Sequence, residues 1–118
     1  MDFATGFVQS RKPELLIHSV NGKLTGSFLG GVPAIKIPVG EHEIGVSYVR
    51  DKRFSLSAIR LPKATFEKGK KYLATFESDY RGNNNYTLVI EIEEMSTGKK
   101  LTTRAIERKM QLSGRLTQ

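Results

Sequence analysis

The 118-residue sequence has no cysteine and no tryptophan, and only two histidines and four prolines. Without cysteine there is no disulfide, no thiol nucleophile and no thiolate metal ligand, so stability has to come from packing and hydrogen bonds. Two histidines, His18 and His42, leave little material for acid–base catalysis or for a metal centre. No apolar run is long enough to cross a bilayer. Residues 1–13 lack the apolar stretch and cleavage pattern of an export signal, so the chain as written carries nothing that exports it. An apolar content of 38% beside 26% charged residues excludes wholesale disorder and indicates a soluble, globular chain.

A chain of this length makes one domain, 1–118. Its net charge of +7 favours acidic partners such as nucleic acid, anionic lipid or a polyanionic polysaccharide. The charge is unevenly spread. Lys99, Lys100, Arg104, Arg108, Lys109 and Arg115 stand against Glu107 alone, so the last 20 residues carry +5 of it. The pattern fits a near-neutral core over about residues 14–103 followed by a basic C-terminal tail, 104–118, better than a surface built to track phosphates.

Two-residue alternation dominates the core. Residues 14–20 (ELLIHSV) form a branched apolar run closed by Asn21-Gly22, the dipeptide suited to a tight hairpin, and residues 23–28 continue as its return strand. Ala34, Ile35, Lys36, Ile37 and Pro38 make a short edge strand bounded by prolines. In residues 39–50, His42, Ile44, Val46, Tyr48 and Arg50 share one face, with Ile44, Val46 and Tyr48 turned inward. Phe54, Leu56 and Ala58 alternate in a returning strand. Tyr72, Ala74, Phe76 and Ser78 alternate in another, and Tyr86, Leu88, Ile90 and Ile92 in a third, with residues 100–103 pairing back on it. From Thr103 the spacing changes to three or four, through Ala105, Ile106, Lys109, Met110 and Ser113, which predicts a short C-terminal helix or a frayed tail. The fold class is therefore all-β, an antiparallel β-sandwich of about seven or eight strands, immunoglobulin-like or prealbumin-like, with that possible helix.

The pattern Ile35-x-Ile37-Pro38-x-Gly40-x-His42-x-Ile44-x-Val46-x-Tyr48, then Phe66-x-x-Gly69-Lys70-x-Tyr72, then Ile90-x-Ile92 ahead of Thr97-Gly98-Lys99, resembles small β-sandwich modules of the bacterial envelope. These are periplasmic or lipoprotein-type domains similar to PEGA-like and prealbumin-like ones, and the likeness covers about residues 15–100. The chain lacks the PEGA Gly-x-x-Pro turn in its usual place. The resemblance implies a periplasmic or outer-membrane-associated location, a partner that is another envelope protein, and an export signal removed ahead of Met1.

Candidate chemistry is sparse. His18 and His42 sit on separate strands, and Glu41 and Glu43 flank His42 on the other face, so both histidines are structural. Glu91 and Glu93 lie opposite Ile90 and Ile92, where a solvated sheet face paired with Lys or Arg is expected rather than a catalytic pair. Gly30-Gly31 lacks the Lys and Ser/Thr of a phosphate loop and reads as a bend. No catalytic residue, no metal ligand set and no cofactor is expected. The most recognition-like stretch is the loop at 79–86, where Tyr80, Arg81, Asn83, Asn84, Asn85 and Tyr86 offer two rings, a guanidinium and three amides that can stack on sugars or bases and bond to hydroxyls. Arg50, Lys52 and Arg53 crowd a second tip that could hold an anion. Three function classes result: a noncatalytic envelope module binding protein through sheet edges, a carbohydrate or polyanion binder using loop 79–86 and tip 50–53, and, least in accord with core-like spacing of the aromatics, a nucleic-acid-binding small β-barrel.

Overall fold

A computed structural model of the chain describes residues 5–25, 31–51, 54–81 and 85–109. It is all-β, with mixed sheets that do not close into a barrel. In chain order the strands are β1 (Thr5–Ser10), β2 (Leu15–Val20), β3 (Lys23–Leu24), β4 (Ala34–Pro38), β5 (Gly40–His42), β6 (Ile44–Asp51), β7 (Phe54–Arg60), β8 (Ala64–Phe66), β9 (Lys71–Arg81), β10 (Asn85–Glu94) and β11 (Lys100–Lys109). They form a five-stranded sheet ordered β11-β10-β9-β1-β4, a four-stranded sheet ordered β3-β2-β6-β7, and a small β5-β8 pair. No helix among the described residues is long and apolar enough to cross a membrane.

Alternation in the sequence places the core. Val8, Ile37, Tyr72, Ala74, Phe76, Tyr86, Leu88, Ile90 and Ile92 come from the five-stranded sheet. Leu15, Ile17, Ile44, Val46, Tyr48 and Ile59 come from the four-stranded one, and all join a single buried cluster. Phe66 of β8 sits edge-on against Tyr72, with ring centroids 5.0 Å apart, and closes one end of it. The Asn21-Gly22 turn has φ of 53° and 83°, the left-handed pair a two-residue hairpin of this hand requires. Past the undescribed residues 26–30, Gly31 has φ +95°, and its α-carbon faces the Ile17 carbonyl so closely that a Cβ there would overlap backbone. Val32 can then exchange two hydrogen bonds with Ile17 (2.7 and 2.9 Å), and the chain crosses from the edge of one sheet to the edge of the other.

Several expectations are corrected. The expectation of antiparallel sheets holds for the four-stranded sheet, but the five-stranded one is mixed: β1 pairs antiparallel with β4 but parallel with β9, Phe7 opposite Lys71 and Ser10 opposite Ala74. The N-terminal residues, to which alternation assigned no strand, thus supply an interior strand. The single strand expected over 39–50 is two, β5 and β6, interrupted at Glu43, so His42 pairs in β5 with Ala64. In β7 the pairing with β6 slips between Val46/Ile59 and Tyr48/Leu56, which brings Ile59 into the core. As far as Lys109 the expected C-terminal helix or frayed tail is instead the strand β11, paired with β10, while the rest of that expectation, residues 110–118, lies outside the described residues. Its three-and-four spacing is outweighed by the row of backbone donors and acceptors that β10 presents, which a helix over the same residues would leave unmet. Thr102 Oγ1 donates to the Pro62 carbonyl at 2.8 Å and Arg104 Nη1 to the Arg60 carbonyl at 2.8 Å, tying β11 to the segment that leaves β7.

Candidate recognition site

The two stretches singled out for recognition approach each other through the described residues Arg50 and Tyr86. Arg50 near the end of β6 places its guanidinium 5.8 Å from the ring centroid of Tyr86 at the start of β10, within cation–π range. Tyr86 Oη donates to Tyr48 Oη at 2.8 Å in the core, and Tyr48 meets Phe76 edge-on at 4.9 Å. Lys12, in the β1–β2 connection, caps the same aromatic group from 4.7 Å over the Phe76 ring. Two exposed cations thus lie over two rings of a group whose residues are 2% (Tyr48), 9% (Phe76) and 2% (Tyr86) exposed. The rings are committed to the core and offer no open platform for stacking a base or sugar. Burial, and then the Tyr48 hydroxyl, push the Tyr86 phenol well above its ordinary value of 10.

The remaining candidates divide in two. Tyr80 and Arg81 end β9, and Asn85 begins β10, opposite Arg81 on one side and Lys109 on the other. Lys52, Arg53, Asn83 and Asn84 lie outside the described residues. The loop expected over 79–86 is shorter than the sequence suggests, because pairing continues through Asp79–Thr87, Tyr80–Tyr86 and Arg81–Asn85.

The histidines have local partners or none. Asn21 Oδ1 accepts the Glu43 N–H at 2.8 Å, which turns its amide nitrogen toward His42 Nδ1 at 2.9 Å. The Asn21 N–H donates to the Glu43 carbonyl at 2.7 Å, so one turn residue binds the β2–β3 turn to the β5–β6 junction three times. His42 Nε2 and His18 Nδ1 are buried without a hydrogen-bond partner among the described residues. A shallow depression beside this knot is lined by Val20, Leu24, Pro38 and His42.

Glu67, Glu91 and Glu94 are engaged in ion pairs. Lys100 Nζ lies 2.9 Å from Glu91 across the β10–β11 pair, and Glu91, helped by Glu77 and Glu93, holds the ammonium above its ordinary value of 10.5. Lys70 Nζ bridges Glu67 at 2.7 Å and Glu94 at 2.9 Å. The Glu94 carboxylate also accepts the hydroxyls of Ser96 (3.2 Å) and Thr97 (3.1 Å). Lys70, then Thr97 and Ser96, hold Glu94 below its ordinary 4.5, while Glu67 and Glu94 raise Lys70. Sequence alternation had no means of finding this bridge, since it joins residues 24 positions apart through a turn. Among the described residues no three His, Cys, Asp or Glu are placed to hold a metal ion.

One further feature is an edge. β11 ends the five-stranded sheet and pairs with β10 alone, so no strand is paired along its other side among the described residues, although the side chains of Thr102 and Arg104 are bonded to the Arg60–Pro62 segment. No family model, curated protein or solved structure matches the chain.

Proposed function

We propose that the chain is a noncatalytic β-sandwich module of the bacterial envelope, PEGA-like or prealbumin-like, that binds another protein by strand addition. The observation that carries the proposal is the ten-residue strand β11 at the end of a sheet that does not close. An unpaired edge supplies the main-chain donors and acceptors that strand addition uses. The burial of Tyr48, Tyr72, Phe76 and Tyr86 supports this over a nucleic-acid-binding barrel, which needs aromatic faces in solvent. The engagement of Glu91 and Glu94 by lysines supports it over an enzyme. The envelope location rests on the sequence resemblance.

Photo-reactive side chains placed in living cells at Thr103 and Ala105, on β11, and at Glu77, on the interior strand β9, test the proposal. Adducts of one size from the β11 positions only, in the periplasmic or outer-membrane fraction, are expected. Adducts from Glu77 alone, or a cytoplasmic protein, would overturn it.

The contact between Arg50 and Tyr86 favours one second reading, anion or glycan binding at the end capped by Lys12 and Arg50. Under it, Lys12→Glu with Arg50→Glu elutes from immobilised heparin at clearly lower salt than the parent, and unchanged elution refutes it.

A further inference from the structure

The strand that β11 already pairs with shows which chemistry suits it. β10 carries Glu91, Glu93 and Glu94 and no cation, and β11 carries Lys100, Arg104, Arg108 and Lys109 against Glu107. The match is local. The β10 carboxylates face the first part of β11, where Glu91 opposes Thr103, Glu93 opposes Lys100, and Lys100 reaches Glu91. Over the second part, the residues of β10 opposite Arg104, Arg108 and Lys109 are Ile90, Tyr86 and Asn85, none of them acidic. In register, β10 therefore sets no carboxylate opposite the basic half of the strand.

We infer, building on the edge proposed above, that the partner presents an acidic extended segment, which adds beside residues 104–109 of β11. Side chains of a strand stand on the faces of the sheet, within reach of both neighbouring strands. A carboxylate on an added strand at the level of Arg108 or Lys109 thus stands beside a basic residue whose register partner on β10 is not acidic. The same charges disfavour a second copy of this chain. Two β11 strands paired antiparallel about their centre would set Lys100 against Lys109 at both ends, and each brings a surplus of three positive charges. Like charges directly opposite are destabilising, and a basic edge is a known device against self-pairing.

The test uses the full chain, labelled with nitrogen-15, and two synthetic peptides, acetyl-(Val-Glu)4-amide and acetyl-(Val-Lys)4-amide. The Glu peptide is expected to shift and protect amides of residues 104–109 and to bind at least tenfold more tightly than the Lys peptide, weakening as salt is raised. Arg108→Glu with Lys109→Glu is expected to reverse that preference while the amide spectrum of β9 stays native-like. Equal binding of both peptides at β11 overturns the acidic partner and leaves strand addition standing. Perturbation away from β11, or none, also overturns it, and the photo-adducts from Thr103 and Ala105 then decide separately whether the edge binds protein. A dimer formed through β11 without peptide assigns the edge to a second copy and overturns the inference.

Discussion

Replacing Leu88 and Ile106 separately and together measures whether the C-terminal segment is a paired strand. Leu88 is fully buried in β10, and its partner in register on β11 is Ile106, half-buried against the same core. Leu88→Ala removes a fully buried side chain and costs about 3 kcal/mol, within the usual 2–5. Ile106→Ala, only partly buried, costs about 1 kcal/mol. At roughly 2.1 cal/mol/K per residue, 118 residues unfold with about 0.25 kcal/mol/K, so Tm falls by about 12 °C and about 4 °C. Directly opposed side chains couple by roughly 0.2–1 kcal/mol, so the double variant should lose less than the sum of the two by that amount. Urea denaturation with an unchanged slope provides the free energies. A coupling within error of zero, or an Ile106→Ala variant as stable as the parent, would refute the strand pairing and restore a detached tail.

Gly31→Ala should lose about 2–4 kcal/mol, because it adds a Cβ against the Ile17 carbonyl to the strain of a positive φ. Gly69→Ala, with φ +74° but open space around it, should lose only about 1 kcal/mol, and equal losses in thermal melts would contradict the close approach. Glu94 is held below its ordinary 4.5, so the stability it contributes is present above that pH and is lost as pH falls through its lower folded value. Lys70 is raised, so its share is present below 10.5 and is lost on the alkaline side. Glu94→Gln should lower the denaturation midpoint at pH 7 and flatten the acid limb of the stability–pH curve, and an unchanged acid limb would show that the bridge does not contribute. Ile44→Asp, by burying an unpaired carboxylate, should leave no cooperative unfolding transition, and a native-like melt would reverse the assigned face of β6.

The parts of the fold visible in the sequence are those governed by alternation and turn chemistry. Ile44, Val46 and Tyr48 point inward because every second residue of a strand shares a face, and Asn21-Gly22 turns because both residues accept positive φ. Lys100 meets Glu91 as expected of a charged outer face. The hidden parts depend on neighbours far along the chain. Gly6, Phe7, Val8 and Gln9 have no pattern of their own that distinguishes an interior strand, and only β4 and β9 give them partners. The spacing of Ala105, Ile106 and Lys109 fits a helix in isolation, and the open side of β10 decides otherwise. At the candidate site, charge and aromaticity could be read directly. The core spacing of Tyr86 could be read as well, but not that Arg50 lies across its ring, since residues 50 and 86 meet only once both sheets are in place.

The parallel pairing of β1 with β9 sets an order of events for folding. The β9-β10-β11 meander closes through short turns, and β6-β7 does the same, so each can form from local contacts. Joining Phe7 to Lys71 spans 64 positions of the chain, and closing a loop of that length costs about 2.5 kcal/mol more than closing one of about four residues. β1 is therefore the late clasp of the five-stranded sheet, holding β4 on one side and the meander on the other. Until it seats, β9 is a second bare edge facing the opposite way from β11, and the interval before β1 arrives is when two unfinished chains are most able to exchange their N-terminal strands.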